Sequence, residues 1–161
     1  MLTSASTNPR GPADRGPASR GPASRLARAL RPVLASRAVR VIALLLLCAA
    51  YLQGGLVKLT DFPGALAEMN HFGLRPAPLF AVAVIVLQLG ACAMILSGRL
   101  RWLGALALAV FTVLATGLAL RYWKLPVGPA RAAAAISFFE HLGLVGGLLL
   151  LAGLDLQERR A

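Results

Sequence analysis

Five polar side chains in this 161-residue chain sit in or beside long apolar runs and could do chemistry there: Lys58, Asp61, Gln88, Glu140 and His141. A charge in hydrocarbon costs about 2.5–3.5 kcal/mol on insertion scales, so each needs a partner or a task. On a helix, Glu140 shares a face with Gly143 and Gly147, at i+3 and i+7. Those two glycines form a GxxxG pair that lets a neighbouring helix approach closely. Glu140 is therefore expected to point inward, with His141 about 100° further round the helix.

Lys58 ends a stripe of Tyr51, Gly54, Gly55 and Lys58 at helical spacing, with Asp61 just beyond it. If the first and last apolar runs are antiparallel, Lys58 and Glu140 fall at similar depth and can form an ion pair. The plainer reading is a Lys58 that snorkels to the interface. Gln88 lies in the middle of an apolar run, on one face with Ala81, Ala91 and Cys92. An amide among small residues is more often interhelical glue than a ligand contact.

Other chemistry finds little support. The two histidines, His71 and His141, do not both lie on apolar runs, which argues against a haem held between them. The two cysteines, Cys48 and Cys92, form no CxxC, and their number excludes a disulfide scaffold or a structural zinc site. Counted from the inner ends of their runs they differ in depth by about 6 Å, which favours packing over a disulfide. No metal site and no complete catalytic site is expected.

The elements that position these residues are four apolar spans, at about 39–59, 77–97, 102–120 and 132–153. The first, at about 1.5 Å per residue, reaches about 31 Å, the thickness of a hydrocarbon core. Between the first two, 60–73 is polar with helix signals: Asp61 as cap, Pro63 in a first turn, Gly73 as a stop. Phe62, Leu66 and Met69 share a face there, which suits a short amphipathic helix at the outer surface. Residues 10–25 repeat an Arg-Gly-Pro unit that neither propagates a helix nor offers anything apolar to bury. Residues 1–38 are read as a disordered basic tail, in which Leu26 to Leu34 can form a short surface helix broken at Pro32. Residues 155–161 are a short polar tail. The fold class is all-α: a four-helix transmembrane bundle.

Composition agrees. Hydrophobic residues make up 58% of the chain and charged ones 14%, too few to wet a soluble surface. The net charge of +11 raises nucleic-acid binding, but eight of the seventeen basic residues lie in the first forty positions, with no aromatic residue among them to stack on bases. They read as a topology signal or a contact for anionic lipid. With four spans, twelve Lys and Arg fall on the side of the termini and five on the other. That predicts an inner (plasma) membrane protein with both termini cytoplasmic.

The order of motifs resembles the DoxX family of small bacterial membrane proteins. The likeness rests on Gly54-Gly-Leu-Val-Lys58-Leu-Thr-Asp-Phe-Pro-Gly64, Gly73-Leu-Arg-Pro76, Gln88-Leu-Gly90, Leu96-Ser-Gly98-Arg-Leu-Arg101 and Phe138-Phe-Glu-His-Leu-Gly-Leu-Val-Gly-Gly-Leu148. It covers about residues 40–151. The family commonly carries Glu where this chain has Gln88, and Lys-Asn or similar where it has Glu140-His141, so a neutral amide replaces a titrating group at 88. The family takes its name from a relative that looks like a subunit of a thiosulfate:quinone oxidoreductase. The resemblance implies a membrane subunit of a redox, sulfur-metabolism or stress assembly, non-catalytic by itself, with a quinone near the polar cluster. Two other readings stand beside it: a small oligomeric transporter or channel, and a membrane scaffold without catalysis. Each implies lipid contact and either protein partners or a homo-oligomer.

Overall fold

The computed structural model describes residues 22–160. Most of the stretch expected to be disordered lies outside them. From Pro22 the chain is helical to Leu34 (α1), which takes in the short helix expected over Leu26 to Leu34 and begins four residues earlier. It passes through Pro32, where a break was expected. Pro32 stands in the last turn, so the missing N–H removes one bond from a helix that ends two residues later.

Among the described residues six α-helices follow one another: α1, then α2 (Arg37–Thr60), α3 (Phe62–His71), α4 (Ala77–Ser97), α5 (Arg101–Ala119) and α6 (Pro129–Glu158). A short 3₁₀ turn, Tyr122–Lys124, lies between the last two. The chain is a four-helix transmembrane bundle: α2, α4, α5 with its 3₁₀ extension, and α6 are each long and apolar enough to cross a membrane. At 30 residues, α6 is about 45 Å long, and it carries its last turn into the stretch expected to be a polar tail.

Local chemistry sets the ends. Asp61 caps α3, its Oδ1 accepting from the Gly64 N–H at 3.0 Å, with Pro63 in the first turn. Proline also opens α4 and α6, where its fixed φ suits a first turn and its missing N–H costs nothing. Gly98 ends α4 at φ +78°, and Leu100 opens α5 at φ +53°. Two left-handed residues in three positions reverse the chain at once and force α4 and α5 antiparallel.

Packing follows the small residues. Leu44, Cys48 and Tyr51 of α2 meet Ala91, Cys92 and Ile95 of α4, Ala105, Leu108 and Ala109 of α5, and Leu148 and Ala152 of α6. Their three- and four-residue spacing is one face of each helix. α4 lies against α2 and α5, and α6 against α5 and α2. The outward faces are apolar too: Leu46, Val86, Leu114 and Leu150 are each more than 60% exposed, as lipid contact requires. The expected apolar face of α3 packs inward, with Ala65 and Met69 buried against Ala77 and Ala81 of α4.

Candidate functional site

Four buried or half-buried polar side chains, one from each spanning helix, surround a cavity of about 110 Å³: Tyr51 of α2, Gln88 of α4, Thr112 of α5 and His141 of α6. Ala50, Phe111, Ala115 and Leu144 complete the wall, and Ala50 is exposed at its rim. Three of the helices deliver their residues because the same face carries a core residue a turn away: Cys48 below Tyr51, Cys92 beyond Gln88, Leu108 before Thr112; on α6, Leu148 lies two turns beyond His141.

The hydrogen bonds have determinate directions. Thr112 Oγ1 lies 2.6 Å from the Leu108 carbonyl oxygen, which can only accept, so the hydroxyl donates there. Thr112 therefore accepts from the Tyr51 hydroxyl, 2.6 Å away. His141 Nδ1 lies 2.6 Å from the Ser137 carbonyl oxygen and donates to it. In a neutral ring, Nε2 is then left as an acceptor. Gln88 Oε1 is buried without a partner. Its amide packs against Gly54, where an added Cβ would meet Nε2 at 3.5 Å. The residues that line the cavity thus carry uncommitted acceptors on Gln88 and His141 and a donor on the Gln88 amide nitrogen. No charged side chain lines it.

The structure brings Gln88 and His141 together and separates the other expected site residues from them. Lys58 does not pair with Glu140. Its Nζ lies 2.9 Å from Glu68 Oε2 on α3. The turn at Asp61 folds α3 back beside the end of α2, so a carboxylate ten residues along the chain, not the one on α6, reaches Lys58. Glu140 is exposed, with no ion-pair partner among the described residues. Asp61 is exposed and acts as a helix cap.

The packing glycines differ in the same way. Gly54 faces Gln88, and a Cβ on Gly147 would touch Leu47 at 3.4 Å, but Gly143 faces open space. The tight crossings are at Gly55, where a Cβ would lie 2.8 Å from Leu89 Cδ2, and Gly104, where it would lie 2.7 Å from the Ala91 carbonyl oxygen. Cys48 and Cys92, expected to be offset in depth, are neighbours: Cys92 Sγ lies 3.9 Å from the Cys48 carbonyl oxygen, and both are wholly buried. Counting from span ends misplaced them because α2 and α4 are offset along the bundle.

Two features escaped the sequence reading. Thr112 was one, and its signal was a pair of threonines, Thr112 and Thr116, four apart in an apolar run. The other is at the opposite end of α6. Asp155, 5% exposed, takes Arg159 Nε at 2.8 Å and the Trp102 N–H at 3.3 Å on Oδ2, with Arg101 Nη1 3.6 Å from Oδ1. It caps α5 from another helix, where Leu100 offers no side-chain cap of its own.

No curated protein and no solved structure matches the chain. The DoxX family model matches residues 39–123, more than half of the sequence, and takes in α2, α3, α4 and α5. The protein is a multi-pass membrane protein that belongs to the DoxX family.

Proposed function

We propose that the protein is the membrane subunit of a redox assembly, and that the cavity between Tyr51, Gln88, Thr112 and His141 receives the oxygen-bearing edge of a quinone-type ring from the bilayer. The observation that carries this is Gln88 Oε1, a buried acceptor with no donor. Such a group costs about 1–3 kcal/mol, which a ligand hydroxyl would recover. The cavity of about 110 Å³ has room for about three or four waters, or for the edge of a ring rather than a whole substituted one. Its neutrality favours a quinone over a sulfur oxyanion, which would enter with no counter-charge.

A bound quinone would supply two-electron, two-proton carrier chemistry. The chain's own residues bind and orient. Gln88 Nε2 would donate to a carbonyl of the oxidised ring, and Oε1 would accept from a hydroxyl of the reduced ring. His141, with Nδ1 committed to the Ser137 carbonyl, would have Nε2 free to take or return a ring proton. Tyr51 and Thr112, committed to each other, hold α2 and α5 at the spacing that keeps the cavity open.

A photoreactive azidoquinone tests this in purified protein reconstituted in nanodiscs. Labelling should saturate, map to cavity-lining residues and be competed by unlabelled quinone. Gln88→Leu should weaken it about 3–10-fold, the value of one neutral hydrogen bond. Unsaturable labelling spread over lipid-facing residues such as Leu46 and Leu150 would reject the proposal.

A further inference from the structure

The family match begins at residue 39, so α1 is an addition that the family model does not cover. It contains no acidic residue. At 100° per residue, Leu26, Leu30 and Val33 fall within about 60° of one another and Leu34 continues the stripe, while Arg28 and Arg31 fall on the far side. The stripe is uncovered: Leu26 is 61% exposed, Leu30 45%, Val33 57% and Leu34 66%. Arg28 and Arg31 are exposed as well, and no acid pairs with them among the described residues. Only Ala35 and Ser36 separate α1 from α2, the first membrane-capable helix. Two residues span at most about 7 Å, so α1 is tethered closely along the chain to the helix that first enters the bilayer.

A helix with bare leucines on one side and unpaired arginines on the other is complete only against a surface that is apolar below and anionic above. Acyl chains and phosphate head groups provide both at once. We propose that α1 is a basic amphipathic surface helix that lies in the leaflet on the N-terminal side and binds anionic phospholipid head groups. Leu26, Leu30, Val33 and Leu34 insert among the acyl chains. Arg28 and Arg31 stay at phosphate level, and the lipid charge sets how much of the time the helix is seated.

Hydrogen exchange of the full-length protein tests this in nanodiscs of phosphatidylcholine alone and of phosphatidylcholine with about one-third phosphatidylglycerol. The amides of α1 should exchange about tenfold more slowly in the anionic discs, and raised salt should remove most of the difference. Replacing Arg28 and Arg31 with Gln should abolish the dependence on lipid charge. Leu26→Ser with Leu30→Ser should abolish protection in both discs. Amides of α4 and α5 should not change, which shows that the bundle is intact. Equal protection in the two compositions overturns the proposal, as does protection that survives the arginine substitutions. Protection that follows the number of protein copies per disc assigns α1 to a second copy instead, and overturns it too.

Discussion

Lys58 Nζ lies 2.9 Å from Glu68 Oε2, tying the end of α2 to α3 across the turn capped by Asp61. The Lys58 side chain is 16% exposed and that of Glu68 is 41%. A half-exposed pair is screened, so a double-mutant cycle of Lys58→Met and Glu68→Gln should give a coupling of only about 0.5–1 kcal/mol. A parallel cycle of Lys58→Met with Glu140→Gln should give none, and Glu140→Gln alone should not destabilise. Coupling to Glu140 above that to Glu68 would show that Lys58 pairs with Glu140 instead. Unfolding in mixed micelles, followed by circular dichroism, measures both.

Asp155 should be the most costly charge to remove. It is buried, and Arg101, with its side chain 13% exposed, stands beside it. Asp155→Ala strands that guanidinium and uncaps α5, for a loss of about 3–5 kcal/mol. Arg159, 44% exposed at its side chain, can turn to solvent when its partner goes. Arg159→Ala should therefore cost less than about 1 kcal/mol. Equal losses in thermal unfolding would contradict the arrangement.

Three glycines should rank by what an added methyl meets. Gly104→Ala drives a Cβ to 2.7 Å from the Ala91 carbonyl oxygen, which is backbone and cannot turn aside. It should cost about 1–3 kcal/mol. Gly55→Ala meets Leu89 Cδ2 at 2.8 Å, the movable tip of a side chain, and should cost less. Gly146→Ala meets nothing and should be neutral or gain up to about 1 kcal/mol of helix propensity. A reversed order would show that α4 and α5 cross elsewhere.

Charge bias predicts the orientation. Cytoplasmic reporters fused after Ala161 or in the turn at Gly98 should be active, and periplasmic reporters should work near Arg75 and Gly128. A periplasmic reporter active at the C-terminus would reverse the assignment.

The sequence by itself determined that the chain crosses a membrane four times, because apolar run length and period are local properties that no distant contact is needed to read. It also marked Gln88 as a residue facing a helix partner, since Ala81, Ala91 and Cys92 repeat on its side. The cap at Asp61 and the stop at Gly73 were legible for the same reason. Partner choice was not. Lys58 had carboxylates available on two helices, and only the fold of the 61–64 turn put Glu68 within 2.9 Å. The convergence of Tyr51, Gln88, Thr112 and His141 depended on how far each helix is rotated and slid along its neighbours. That rotation and slide are set jointly by every small residue at the crossings, Gly55 and Gly104 above all, so only the tertiary structure could decide which polar residue on each face meets the others.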